Sequence, residues 1–234
     1  MSKKTTLITG ANKGLGREAA RRLLAEGHDV WAGARDKSLG KAAADELGAR
    51  FVQLDVTDED SVAAAAETVV AATGGRLDVL INNAGIAGDR KPAGEVTADD
   101  MRSVFETNVF GVVRVTRAFL PLLERSDSPV IVNVSSGMGS IAVTTDPQRF
   151  ESTLIGIAYP ASKTAVNMLT TQYAKAFPQI RINAVDPGYT ATDLNGHTGT
   201  QSVEEGADAI VAMARLDPSG PTGTFVDRNG GVAW

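Results

Sequence analysis

Short runs rich in β-branched and apolar residues recur along the chain, at Thr5–Thr9, Asp29–Ala34, Phe51–Val56, Val79–Ile81, Val130–Val134, Ile180–Val185 and Gly223–Val226. Glycine and polar residues bound them, and all seven are predicted to be strands. Alanine-rich segments of helical length lie between: Gly16–Glu26, Lys41–Leu47, Ser61–Ala72, Asp99–Arg125, Tyr159–Phe177 and Val203–Ala214. Such alternation predicts α/β architecture, a seven-stranded parallel sheet with helices on both faces. Helix starts carry local marks. Thr97 with Asp100 three residues on reads as a capping box, and Asp58, Glu59 and Asp60 suit the positive end of a helix dipole. Two irregular stretches, Gly137 to Ala158 and Pro187 to Ser202, follow strand ends on the side where doubly wound sheets hold their ligands.

No repeat, low-complexity tract or linker interrupts the pattern, and 234 residues suit one α/β domain of above-average size. With 43% apolar and 22% charged residues, the composition is that of an ordinary soluble globular protein. The chain has no cysteine, which excludes a disulfide framework, thiol catalysis and thiolate-bound metal, and fits a cytoplasmic location. Two histidines, His28 and His197, are too few for a histidine-built site, so no metal is expected. Basic side chains number 23 against 28 acidic ones, for a net charge of −5. Without a concentrated basic face, nucleic acid is not an expected partner. The first ten residues lack an apolar run of signal-peptide length, and the uncharged stretch Ser128–Thr145 is broken by Pro129, Asn133 and glycines, so no membrane span is expected.

The turn after the first strand reads Thr9-Gly10-Ala11-Asn12-Lys13-Gly14-Leu15-Gly16 and opens directly into a helix. A strand, a glycine turn and a helix in that order suit a pyrophosphate: Gly10 makes the tight turn, Gly14 admits phosphate to the backbone, and Gly16 permits close packing. The second strand ends in Gly33-Ala34-Arg35, which sets a guanidinium where NAD-preferring folds carry an acid. Arg35, with Lys13 from the turn, would hold a 2′-phosphate and favour NADPH over NADH. The competing reading makes both cations solvated and Asp36 the selector.

Beyond the turn, Asp55, Asn82-Asn83-Ala84-Gly85, Asn108, Ser136, Tyr159 with Lys163, and Pro187-Gly188 follow in fixed order. This set resembles the short-chain dehydrogenase/reductase family from Thr5 to about Phe225, and Asn12-Lys13 with Arg35 are most similar to its NADPH-dependent carbonyl reductases. The resemblance implies a single Rossmann-like domain, a small-molecule carbonyl substrate, and a Ser-Tyr-Lys-Asn catalytic set of Ser136, Tyr159, Lys163 and Asn108. It implies a relay water near Asn108, for which the alternative is a locally satisfied amide. It gives Asp55 the adenine amino group, with Asn83, Ala84 and Gly85 along the adenosine. Leu15 and Val56 join the expected cofactor contacts, and Pro187, Gly188, Thr190 and Thr192 border the nicotinamide.

Physical chemistry favours the same residues. Tyr159 and Lys163 are four apart in a helical segment and share a face. A nearby ammonium is expected to lower the phenol's pKa toward the operating pH, making Tyr159 the proton donor. Ser136 closes the fifth strand, where its hydroxyl can polarise a carbonyl; neighbouring Ser135 is its rival, and strand alternation lets only one face the site. Pro160 is expected to keep Tyr159 out of helical geometry, so that the helix begins there. The 22 residues 137–158 between Ser136 and Tyr159 are more than the common short form of the family carries, and Asp146–Ile155 within them is predicted as a short helix at the pocket mouth. Residues 189–202 suit a substrate lid. The resemblance accommodates both monomers and homo-oligomers, and Trp234 could pack on the core, a partner or the pocket mouth. Two other readings stand beside the reductase: a cofactor-sensing regulator without turnover, and a Tyr/Lys epimerase or dehydratase, for which the chain is short.

Overall fold

Adjacent residues of the central strands face opposite ways, and this divides the apolar residues into two cores. A computed structural model describes residues 3–234; Met1 and Ser2, at the head of the stretch read for a signal segment, lie outside them. Strand β1 (Thr5–Thr9) pairs in parallel with β2 (Asp29–Ala34) and β4 (Val79–Asn82), setting Leu7 beside Leu80 and Ile8 beside Ile81. Leu7, Leu80, Ile131 and Ile182 point to one face and meet Val62, Val69, Phe119 and Leu123. Ile8, Ile81 and Val132 point to the other and meet Ala20, Leu23, Ile210 and Ala214. All of these are fully or nearly fully buried. Each large apolar side chain so placed is worth ~1.5–3 kcal/mol over exposure, so a charge at Ile81 or Leu80 would cost the fold dearly.

The sheet has eight strands in the order β3-β2-β1-β4-β5-β6-β7-β8, with β3 (Arg50–Gln53), β5 (Val130–Val134), β6 (Arg181–Val185), β7 (Phe225–Asp227) and β8 (Gly230–Gly231). Strands β1 to β7 are parallel and β8 is antiparallel. The eighth strand corrects the sequence expectation of seven. The Asp227 carboxylate accepts the Asn229 and Gly230 N–H groups at 2.7 and 2.9 Å, turning the chain back, and two glycines carry no apolar pattern to announce the return. Gly223, expected within the seventh strand, has φ +69 and lies before it. Strand β3 stops short of Asp55 because the Asp55 carboxylate accepts both the N–H and the hydroxyl of Thr57, at 3.0 and 2.7 Å, and bends the chain out of the ladder.

The helices are α1 (Gly14–Ala25), α2 (Lys37–Leu47), α3 (Glu59–Thr73), α4 (Ala98–Phe105), α5 (Gly111–Leu123), α6 (Ile141–Thr145), α7 (Ala158–Ala176), α8 (Val203–Gly206) and α9 (Asp208–Ala214). Asp58 caps α3, and the Thr97/Asp100 box caps α4. Three expectations are corrected. The single helix over 99–125 is divided by a π-turn, Glu106–Phe110, and Gly111 beyond it packs so tightly on Val56 that a Cβ would lie 2.9 Å from the valine methyl. The helix from Asp146 is absent: Asp146 ends α6 and spends its carboxylate on the Gln148 N–H, leaving only a 3₁₀ turn at Phe150–Thr153. Helix α7 starts two residues before Pro160, with Tyr159 already helical, because the first-turn N–H groups need no intrahelical partner and proline is tolerated among them. Trp234 packs on the core, its ring stacked on Phe225 at 5.5 Å, while the Ala233 and Trp234 carbonyls accept from Ser140 and Ala142. No helix among the described residues is long and apolar enough to cross a membrane.

Candidate active site

The turn between β1 and α1 is held by the residues that directly follow β4. The Thr9 hydroxyl accepts the Asn83 and Ala84 N–H groups, both at 2.9 Å, and the Asn83 amide donates to the Thr9 and Gly10 carbonyls at 2.8 and 3.2 Å. The Asn83 side chain, expected along the adenosine, is therefore turned toward the glycine turn. Gly10 and Gly14 have φ +64 and +54, and a Cβ on Gly16 would lie 2.5 Å from the Asn83 amide and 2.7 Å from the Gly10 carbonyl. Only glycines allow this path. The N-terminal N–H groups of α1, with Asn12 partly exposed beside them, form a cradle suited to a pyrophosphate.

At the end of β2, Asp36 caps α2 by accepting the Leu39 N–H at 2.8 Å, so its carboxylate is committed to the helix. Arg35 is exposed, and its guanidinium has no partner among the described residues. Lys13 instead forms an ion pair with Asp193 at 2.6 Å, linking the glycine turn to the 187–202 loop, and Asp193 also holds His197 at 2.7 Å. Hydrogen bonds from the Lys13 and His197 side chains keep the Asp193 carboxyl below its ordinary value. Asp55 gives one oxygen to Thr57, and Val56 is buried against Gly111. Arg35 and the glycine turn thus fit a phosphorylated dinucleotide, whereas Lys13 is engaged by the loop.

The second group gathers where β4, β5, β6 and α7 meet. Ser136 lines a cavity of about 570 Å³ together with Tyr159. Ser135 turns away and is buried, donating to the Asn167 amide oxygen at 2.5 Å and the Lys163 carbonyl at 3.3 Å. Lys163, one turn after Tyr159, donates to the Val134 carbonyl at 2.7 Å, with Nζ 5.7 Å from the centre of the Tyr159 ring. Asn108 lies in the π-turn and is clamped on three sides: it accepts the Ile86 N–H and donates to the Ile86 carbonyl, both at 2.9 Å, and donates to the Ser162 hydroxyl at 3.0 Å. A Cβ on Gly85 would sit 3.4 Å from the Asn108 amide oxygen and 3.7 Å from the Lys163 ammonium, so the end of β4 closes over both.

Burial reverses the expected tuning of the phenol. Tyr159 is pushed up to about 12 by desolvation, with the Ser136 hydroxyl lowering it and the Asp186 charge raising it further. Lys163 is pushed down to about 8 by the same desolvation. Its ammonium is directed at a backbone carbonyl and lies against the ring rather than at the phenol oxygen, so it does not offset that burial.

Leu154, Ile155 and Ile157 from the 137–158 segment line the cavity, as do Tyr189 and Leu194 from the 187–202 loop. The two segments touch: Phe150 packs on Tyr189 with ring centres 5.5 Å apart. Pro187, Gly188, Thr190 and Thr192 also line the cavity. The Thr190 hydroxyl donates to the Pro187 carbonyl at 3.0 Å, and Thr192 shares a capping box with Asn195. Sequence reasoning passed over Asp186, a buried carboxyl at the end of β6; its signal was an acid directly before Pro187-Gly188, where a strand ends.

The short chain dehydrogenase family model matches residues 4–202. A (+)-neomenthol dehydrogenase from Arabidopsis thaliana is 34% identical, over 95% of this chain and 95% of its own. The crystal structure of an NADPH-bound carbonyl reductase from chicken fatty liver superposes with a TM-score of 0.87 at 30% identity, each chain covered completely. That of salutaridine reductase from Papaver somniferum gives 0.83 at 30% identity, over 96% of this chain and 99% of the other. Sequence order, sheet topology and these similarities agree, and the chain belongs to the short-chain dehydrogenase/reductase family of nicotinamide-dependent oxidoreductases.

Proposed function

We propose that the protein is an NADPH-dependent carbonyl reductase that converts a ketone or aldehyde to the alcohol. The observation that carries this reading is the convergence of Ser136 and Tyr159 on one cavity, with Lys163 one helical turn behind. NADPH, when bound, supplies the hydride for the carbonyl carbon. Ser136 donates a hydrogen bond to the substrate oxygen as negative charge develops on it. Tyr159 delivers the proton to that oxygen, and its raised pKa keeps it protonated at neutral pH. Lys163 holds the cofactor ribose, and a water held near Asn108 relays the proton that restores the phenol. The glycine turn of Gly10, Gly14 and Gly16 receives the pyrophosphate, and Arg35 receives the 2′-phosphate. The commitment of Asp36 to its helix cap supports that selection over ribose recognition by an acid. Asp55 keeps one oxygen for the adenine, and Leu15, Pro187, Gly188, Thr190 and Thr192 border the nicotinamide end.

Residues 137–158 and 189–202 form the substrate walls of one domain spanning residues 1–234. Their apolar lining suits a substrate with a hydrophobic body, and the cysteine-free chain suits the cytoplasm. The test is the initial rate of NADPH oxidation across aliphatic and aromatic aldehydes, ketones, diketones and β-keto esters, beside Tyr159→Phe. Turnover that the variant loses while still binding NADPH is the expected result. Tight NADPH binding with no turnover on any carbonyl would overturn the reading.

A further inference from the structure

Asp186 is a buried acid with no part in the chemistry set out above. It stands directly after β6, with its side chain only 4% exposed. One carboxylate oxygen accepts the Gly188 N–H at 2.9 Å. The other lies against Gly137, 2.9 Å from where a Cβ would stand. Burial raises the Asp186 carboxyl above its ordinary value, and the Gly188 N–H that it accepts works against that shift. Gly137 directly follows Ser136, and Gly188 follows Pro187, so one side chain bonds the loop that borders the nicotinamide end and packs against the loop that presents the serine.

The groups facing this carboxylate come from several elements. Glu151, from the 3₁₀ turn, approaches the same face of Gly137, and its other oxygen pairs with Arg149 at 3.4 Å. Asp227, at the end of β7, and Glu151 disfavour ionisation, and Arg149 senses both Asp186 and Asp227. Tyr159 shares one cavity with Ser136, Pro187 and Gly188, the residues that flank this carboxylate on both loops, and the Asp186 charge adds to the rise of its pKa.

We propose that Asp186 is a positioning residue for the reaction: its carboxylate clamps the Ser136 loop to the Pro187-Gly188 loop and sets a fixed negative charge against Tyr159. The clamp holds the hydroxyl that polarises the carbonyl in register with the loop that orients the nicotinamide. The charge keeps the phenol protonated to higher pH than a neutral side chain would. A neutral amide of the same size has one acceptor in place of two and no charge, so Asp186→Asn removes both functions with little change of volume. This assignment rests on the carbonyl-reductase reading, and its test is chosen to fail separately from it.

Two readouts need no turnover. In the unaltered protein, the amide resonances of Gly137 and Gly188, followed by NMR against pH, should move together with one midpoint above the ordinary carboxylate range, because they share one carboxyl group. Separate midpoints, or no movement, would overturn the clamp even if Asp186→Asn does not fold. The chain has three tyrosines, so Tyr159→Phe identifies the Tyr159 contribution to tyrosinate absorbance. Across the alkaline range in which circular dichroism shows an intact fold, Asp186→Asn should begin that titration at lower pH than the parent; an unchanged onset would remove the electrostatic half of the proposal. With a substrate in hand, kcat should fall by about tenfold to a hundredfold with little change in KM, the signature of misplaced reacting groups. Parent-like kcat in a folded variant would overturn the positioning role.

Discussion

The Lys163 ammonium lies 5.7 Å from the centre of the Tyr159 ring while donating to the Val134 carbonyl at 2.7 Å. It is a buried cation held against an aromatic face by a backbone acceptor, and burial brings its pKa from the ordinary 10.5 down to about 8. Its folded value lies below its unfolded one, so between about 8 and 10.5 the unfolded chain binds more protons. Stability therefore rises with pH across that window, and the cost of burying the charge is felt in full below it. Lys163→Met should lose reductase activity. Its stability relative to the parent should be greatest below pH 8 and should decline by on the order of 3 kcal/mol up to pH 10.5. Denaturant titrations at several pH values measure this, and a pH-independent difference would contradict it.

Arg35 is exposed, and its guanidinium has no partner among the described residues, in contrast to Lys13, which Asp193 holds. Arg35→Ser is expected to weaken NADPH binding by ~1.5–3 kcal/mol, the range for a hydrogen bond to a charged group, and to leave NADH binding nearly unchanged. Calorimetric titration with both nucleotides decides the matter. Equal losses for the two would place Arg35 away from the 2′-phosphate.

A Cβ at position 16 would lie 2.7 Å from the Gly10 carbonyl and 2.5 Å from the Asn83 amide. The first is backbone and the second is already engaged by Thr9 and Gly10, so neither yields easily. Gly16→Ala should cost ~1–3 kcal/mol of stability through overpacking and weaken NADPH binding by deforming the turn. Gly94→Ala, with open space around it, is the control and should leave binding unchanged. Parent-like melting and binding in Gly16→Ala would show that the turn tolerates the methyl.

Much of the fold was legible because a parallel sheet buried on both faces writes itself as short β-branched runs, and Leu7-Ile8, Leu80-Ile81 and Ile131-Val132 divide between the two cores as alternation requires. What escaped was set by side chains acting on backbone. Asp55 ends β3 through Thr57, Asp146 diverts the expected helix through Gln148, and Asp227 folds a glycine pair back as β8. Each is a local capture of N–H groups by a carboxylate, without periodicity to betray it. At the site, alternation required that only one of Ser135 and Ser136 face the cavity and the family resemblance pointed to Ser136, whereas neither gave the direction of the Tyr159 shift. Residue spacing sets a cation near a phenol but carries no measure of burial, and burial decided the sign. Asp186 was missed for the same reason, since its partners at Gly137 and Gly188 come from two strand ends far apart in sequence.

The contact of Phe150 with Tyr189 joins two segments that are variable in principle and remote along the chain. Neither can be redesigned alone. Replacing 137–158 with a foreign loop leaves Tyr189 facing a vacant flank, and replacing 187–202 strands Phe150 in the same way. A library that varies both loops jointly can replace this contact with another, whereas one that varies either alone loses it.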